Sequence, residues 1–366
     1  MTDSNENIYL HALNLLPQLG PARLVRLLKF FGSFQKAYRS SEKELIASGL
    51  EPQIAQAIVS HSAKIDLAEE AKKLNQAGIQ ILTSQDSNYP KLLLEIPKLP
   101  PLLYFRGKMK EAEELCIAVV GTRKITTYGR SVIPDLVAPL VNAGAIVVSG
   151  MAFGVDSEAH KIAVGRGKRT IAVLGGGLDD ASLYPKHHQL LAHEIMEAGG
   201  ALLSEYPPGT PNFKQHFVAR NRIISGLCAA TLVVECDLES GSLITAKHAL
   251  EQNRQVFAVP GPIYSEMSKG PNNLIKMGAK AVTDAADILE DLNLKHLPLE
   301  IDSQNFLGDN PIETKILEIV NKEPILVNEI IKTLGLEAGE VTSALTFLEM
   351  KGHVRNLGGQ QYVRSR

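Results

Sequence analysis

Between residues 116 and 259 the chain repeats one pattern six times: a short apolar run, usually a turn of small residues, then a helix-length segment. The runs are Cys116–Val120, Ala145–Ser149, Thr170–Leu174, Leu202–Glu205, Thr231–Glu235 and Gln255–Val259. Strands apolar on both faces need cover on both faces, which the crossover helices of a parallel sheet supply. The alternation predicts a Rossmann-like α/β domain, a doubly wound parallel sheet.

The flanks read differently. Residues 1–80 form a helical domain. Leu10, Leu13, Leu15 and Leu16, then Leu24, Leu27, Leu28 and Phe31, recur at helical spacing. Between them, Gly20 permits a tight turn and Pro21 suits the first turn of the next helix. This is a helix-hairpin-helix (SAM-like) pattern, open to two uses: offering backbone N–H groups to DNA phosphate, or plain helical packing. Residues 81–290 are the extended Rossmann-like domain. It opens on a segment broken by Pro90, Pro97, Pro100 and Pro101, with Leu102–Phe105 as a short strand. Residues 291–311 read as a linker. Residues 312–366 read as three helices and a hairpin around Gly358-Gly359, a winged-helix-like domain. Its third helix carries Glu337, Glu340 and Glu349 against Lys351 at its end. An acidic face suits packing or protein contact better than a DNA groove.

A net charge of −2 gives no bulk signal for nucleic acid, so any DNA site must concentrate its cations locally. The opening Met1–Asn7 is polar and acidic, unlike a secretory leader. No apolar stretch is long enough to span a membrane. Cys116, Cys228 and Cys236 form no C-x-x-C pair and read as buried hydrophobes. Together these point to a cytoplasmic protein without membrane contact.

Ligands of open α/β sheets bind at the carboxyl ends of the strands. Four turns there are rich in glycine or hydroxyls: Gly121-Thr122-Arg123-Lys124, Ser149–Asp156 with Gly150 and Gly154, Gly175-Gly176-Gly177, and Glu239-Ser240-Gly241-Ser242. Small residues let backbone N–H groups approach phosphate, and the following helix N-termini favour anions. No P-loop signature exists. Asp180 stands where a dinucleotide fingerprint needs its third glycine, so neither common nucleotide cofactor is expected.

Cations gather near the same edge: Arg123, Lys124, Lys186, Lys214, Arg220 and Arg222. In Phe213–Arg222 aromatics alternate with cations, the composition of a single-strand site in which bases stack and cations follow phosphates. The histidines show no metal-ligand spacing, so no metal is expected. His187 and His188 are adjacent and would point about 100° apart on a helix. Asp156 and Asp179 sit at strand ends, where helix capping accounts for them better than acid–base catalysis.

Taken together, Gly121-Thr122-Arg123, Ser149-Gly150-Met151-Ala152-x-Gly154-Val155-Asp156, Gly175-x-Gly177-Leu178-Asp179, Tyr184-Pro185, Phe217-x-x-Arg220-Asn221-Arg222, Ser240-Gly241-Ser242 and Val259-Pro260-Gly261 resemble the DNA-processing protein A (DprA/Smf) family. The resemblance covers residues 116 to 280. It implies a non-enzymatic protein that binds single-stranded DNA and loads the recombinase RecA during natural transformation, working as a homodimer without a cofactor. Carried onto this sequence, it makes Arg123, with Gly121 and Thr122, a phosphate contact. Lys214 would meet phosphate, Phe217 a base, and Ser240, Gly241 and Ser242 would hold phosphate. Gly150, Lys186, Arg220, Asn221 and Arg222 complete the expected site. The competing class is a nucleotide-binding enzyme or sensor of the phosphoribohydrolase-like (lysine-decarboxylase-like) superfamily. Those enzymes carry a glutamate where Thr245 stands here, which leaves the reaction without an obvious acid–base group.

Overall fold

The computed structural model describes residues 4–109, 115–294, 310–321, 323–351 and 353–364. Most of the expected linker, 295–309, lies outside the described residues. The chain divides into two compact units, Met1–Glu300 and Ile301–Arg366.

The first unit opens with six helices: α1 (Ser4–Asn14), α2 (Pro21–Phe31), α3 (Phe34–Arg39), α4 (Glu42–Ala47), α5 (Pro52–Ser62) and α6 (Leu67–Gln76). Gly20 and Pro21 take the N-cap and first position of α2, as their residue types require. This helical segment shares one apolar core with the sheet, where Leu10, Leu13 and Leu24 meet Leu102, Tyr104 and Leu191. The junction also has polar pins. His11 bonds the Tyr104 hydroxyl at 2.9 Å, and Asn14 donates to the Glu205 carbonyl at 3.1 Å.

The sheet follows: β1 (Gln80–Thr83), α7 (Lys91–Leu94), β2 (Leu102–Gly107), β3 (Cys116–Val120), α8 (Thr127–Asn142), β4 (Ile146–Ser149), α9 (Val155–Gly165), β5 (Thr170–Val173), α10 (Gln189–Glu197), β6 (Ala201–Ser204), α11 (Lys214–Gly226), β7 (Ala230–Val233), α12 (Gly241–Glu251), β8 (Gln255–Ala258), α13 (Glu266–Lys276), β9 (Lys280–Ala281) and α14 (Ala285–Asp291). Its order is β1-β2-β6-β5-β4-β3-β7-β8-β9. From β6 to β9 every pairing is parallel, whereas β1 and β2 add an antiparallel edge. The six expected strands all form, within a residue or two of their predicted ends. β1 and β9 go beyond the expectation, because each has too few apolar residues to show a pattern. Period-two alternation splits β3 between two cores. Cys116, Ala118 and Val120 pack with residues of α11 and α12, whereas Ile117 and Val119 pack with residues of α8 and α9. None of the three cysteines forms a disulfide, and all are buried.

The second unit has the winged-helix order α15 (Pro311–Ile319), β10 (Ile325–Leu326), α16 (Val327–Leu334), α17 (Ala338–Met350), β11 (Val354–Gly358) and β12 (Gln361–Arg364). Its core gathers Ile316, Ile330, Leu345 and Leu348. Buried Glu313 accepts from Lys351 at 2.8 and 2.9 Å, so the lysine at the end of α17 is committed to an internal ion pair. No described helix is long and apolar enough to cross a membrane.

Candidate nucleic-acid interface

The strand order places a switch point at β3. The chain winds outward through β4, β5 and β6, then returns to lay β7 on the other side of β3. The connection from β6 to β7 must therefore cross β5, β4 and β3. Helix α11 lies within that connection, and its Arg220 reaches the Val173 carbonyl at the end of β5 and Gly150 just after β4. At such switch points an open sheet offers its crevice.

The turn after β3 carries Gly121, Thr122, Arg123 and Lys124. Thr122 is buried, whereas Arg123 and Lys124 are exposed. One residue, Glu235, holds both ends of this turn. Its carbonyl accepts the Thr122 N–H at 2.6 Å. Its buried carboxylate accepts the Thr126 N–H at 3.1 Å and the Thr126 hydroxyl at 2.5 Å. A carboxylate with charge-assisted bonds at the end of β7 thus orders the loop that presents Arg123.

Beside that loop, the Arg220 guanidinium lies flat on Gly150. A Cβ at Gly150 would collide with the guanidinium nitrogens of Arg220, a buried and hydrogen-bonded side chain, so only glycine fits. Arg220 donates to the Val173 carbonyl and, at 3.2 Å, to Asn221 Oδ1. Burial pushes its pKa down to about 10; Asp156 pulls it back up and Arg123 pushes it further down. It remains a cation at neutral pH. Asp156, at the start of α9, accepts from the Gly150 N–H at 3.1 Å and the Ala152 N–H at 3.4 Å. Burial raises its carboxyl above the usual range, and Arg220 opposes that rise most strongly. His160 is held neutral, its pKa lowered to about 3 first by burial and then by Arg220 and His188. The Thr170 hydroxyl gives its one hydrogen to the Val147 carbonyl at 2.7 Å. The His160 Nδ1 contact with that oxygen, at 2.7 Å, is therefore a donated N–H.

A small cleft opens over this base. It is lined by Arg123, Gly150, Phe153, Tyr184, Phe217 and Arg220, with Ala152 and Pro185. The Arg123 guanidinium lies over the Phe217 ring, 5.7 Å from its centroid. Tyr184 meets Phe217 at 5.6 Å, and Phe153 meets His188 at 4.8 Å. The cleft thus joins two guanidinium groups to three partly exposed aromatic rings. Among the described residues that line it, none is a carboxylate.

The remaining expected residues fall into three places. Ser240 caps α12, Gly241 is its exposed first residue, and buried Ser242 bonds the Ser240 hydroxyl at 2.9 Å. Asn221 ties this turn to the cleft by donating to the Gly241 carbonyl at 3.1 Å. Lys186 and Lys214 are exposed, at the start of a short 3₁₀ turn (Lys186–His188) and of α11, outside the cleft wall. Arg222, expected at the same edge, does not line the cleft. Two residues beyond Arg220, it sits about 200° around the helix. There it is buried against Glu205 at 2.5 Å. Burial raises the Glu205 carboxyl above its ordinary range, and Arg222 opposes that.

The sequence pattern marks Tyr184 and Phe153 only inside motifs, and Glu235 only as a strand end. A carboxylate closing an otherwise apolar strand is the available signal for Glu235. An aromatic inside a glycine turn is the signal for Phe153. The helix capping expected of Asp156 and Asp179 is not what they do: Gly154 is the N-cap of α9, and both carboxylates brace turns instead. Asp179 accepts from Ser182 and from the Gly209 N–H at 2.6 Å. Among the described residues no group of three or more His, Cys, Asp or Glu is placed to hold a metal ion.

A doubly wound sheet whose carboxyl edge joins small-residue turns, guanidinium groups and partly exposed aromatic rings defines a Rossmann-like α/β protein with a cationic, aromatic cleft at its switch point. Residues 80–293 match the family described as DNA recombination-mediator protein A, and residues 307–360 match the DprA winged helix domain. The chain belongs to this DprA/Smf family. It is 32% identical to Protein Smf of Synechocystis, over 99% of each chain. It is 38% identical to Protein Smf of Escherichia coli, over 80% of this chain and 79% of the relative. The structure of DNA processing protein A from Streptococcus pneumoniae superposes with a TM-score of 0.68 at 33% identity, covering 80% of this chain and 99% of that one. The Helicobacter pylori DNA processing protein A, whose structure concerns its single-stranded DNA binding mode, superposes with a TM-score of 0.52 at 30% identity. That match covers 58% of this chain and 96% of that one.

Proposed function

We propose that this chain binds single-stranded DNA along the carboxyl edge of its sheet and delivers the strand to the recombinase RecA during natural transformation, as a cytoplasmic homodimer and without catalysis. The observation that carries the DNA reading is the Arg123–Phe217 pair above buried Arg220. A cation and an aromatic face converge there, the two groups that a sequence-tolerant single-strand site needs. Family membership supports it, as does the single-stranded DNA binding of the Helicobacter pylori relative. The roles in recombination and transformation rest on the family. In this reading Arg123 and Lys214 meet phosphate, Phe217 meets a base, and Gly121, Thr122, Ser240, Gly241 and Ser242 bring backbone or hydroxyl groups to the strand. Lys186 adds a further cation. Gly150, Arg220 and Asn221 shape the floor, and Arg222 holds α11 from behind.

Salt-titrated binding of single-stranded DNA, duplex DNA and mononucleotides tests the reading. Tightest binding to the single strand, with a steep salt dependence, is the expected result. Preference for a mononucleotide, or release of its base, would favour the phosphoribohydrolase-like alternative instead. Stimulation of RecA filament formation on single-stranded DNA, and the mass of the assembly in solution, test the partner and the dimer.

A further inference from the structure

We infer that Phe213 is a second base-stacking platform, which extends the single-strand track one nucleotide beyond Phe217 along helix α11. The inference rests on the single-strand reading above and goes beyond it by adding a residue and a direction. Phe213 is the N-cap of α11 and is 50% exposed, yet its side chain caps nothing. The ring is nevertheless supported. It meets His216 edge-on at 5.2 Å and 88°, and His216 in turn stacks on Tyr206 at 4.0 Å and 15°. His216 Nδ1 lies 3.2 Å from the Gly175 carbonyl, which anchors this stack to the end of β5. Burial lowers the His216 pKa, which favours the neutral ring.

Position and charge both fit a base. Phe213, the N-cap with extended backbone, stands four residues before Phe217, about 6 Å from it along the helix axis. A nucleotide step opened by one inserted ring spans about two 3.4 Å stacking distances, a close match. Exposed Lys214 lies next in the chain and supplies a cation for the phosphate between the two bases. An aromatic ring left half in water, braced from behind and flanked by a cation, is what a base adds to without further ordering cost.

The chain contains no tryptophan, which gives a clean reporter. Phe213→Trp places one indole at the proposed platform. Saturation with a 15-mer of thymidylate should quench its emission, and an abasic 15-mer of equal charge should not. Phe213→Leu should weaken the thymidylate 15-mer by about five- to a hundredfold with its salt slope unchanged. Its thermal unfolding should fall only slightly, because the half-exposed ring makes no cap bond and gives up only its edge contact with His216. Equal affinity of Phe213→Leu and parent, or unquenched emission at saturation, would overturn the inference. Failure of the parent chain itself to bind the thymidylate 15-mer would instead overturn the single-strand reading on which it rests.

Discussion

Replacing Arg123 with alanine separates folding from binding more cleanly than any other change at the edge. Arg123 is exposed, and its side chain reaches back to the fold through the cation–π contact with Phe217 at 5.7 Å. An exposed contact of that kind contributes about 0.5–1 kcal/mol. The loop that carries it is held separately, through Thr122, Thr126 and Glu235. Stability should therefore fall by no more than about 1 kcal/mol. A charge-assisted hydrogen bond to phosphate, by contrast, contributes about 1.5–3 kcal/mol, which is roughly a ten- to a hundredfold difference in affinity. Removing one phosphate interaction should also lower the slope of log K against log salt by about 0.7. The assay is fluorescence anisotropy of a labelled oligonucleotide at several salt concentrations, with thermal unfolding alongside. Unchanged affinity and slope in a normally folded variant would remove Arg123 from the interface and undercut the reading built on it.

Arg222→Ala leaves Glu205 buried without its partner, so stability should drop by about 3–5 kcal/mol, while any folded fraction keeps the parental salt slope; a lowered slope would return Arg222 to the interface. Gly241→Ala meets no atom within 4 Å and enters the first turn of α12, so thermal stability should be unchanged or slightly higher. Weakened DNA binding in that variant would mark a close approach of the strand to the Gly241 backbone, and full binding would exclude one. His160 is neutral when folded, with a pKa near 3, against an ordinary value of 6.5. The unfolded chain therefore takes up a proton that the folded chain refuses, and stability is lost as pH falls below 6.5. The loss is about 1.4 kcal/mol per pH unit for that one proton. His160→Gln should flatten the stability profile between about pH 6 and 5 by that amount, and an unchanged profile would show that the histidine is protonated inside the fold.

Much of this architecture was legible in the residues themselves. Strand positions follow from local apolar runs, and the start of α2 follows from Gly20 and Pro21, which take its N-cap and first position. The glycine turns marked the carboxyl ends of the strands, because small side chains and strand ends are both local facts. The contrast between Arg220 and Arg222 was not legible. They stand two positions apart in one motif, yet one forms the floor of the cleft and the other pairs with Glu205 behind the helix. Which side of α11 faces the cleft is set by its packing on β5 and α12, a long-range contact. The role of Glu235 was hidden for the same reason. Its partner Thr126 lies 109 residues away in the chain, and only the pairing of β7 with β3 brings the two together. Sequence alone determined the elements and the chemistry available at their ends. Tertiary structure decided which charges face the cleft, because burial and pairing are set by long-range packing that no local pattern contains.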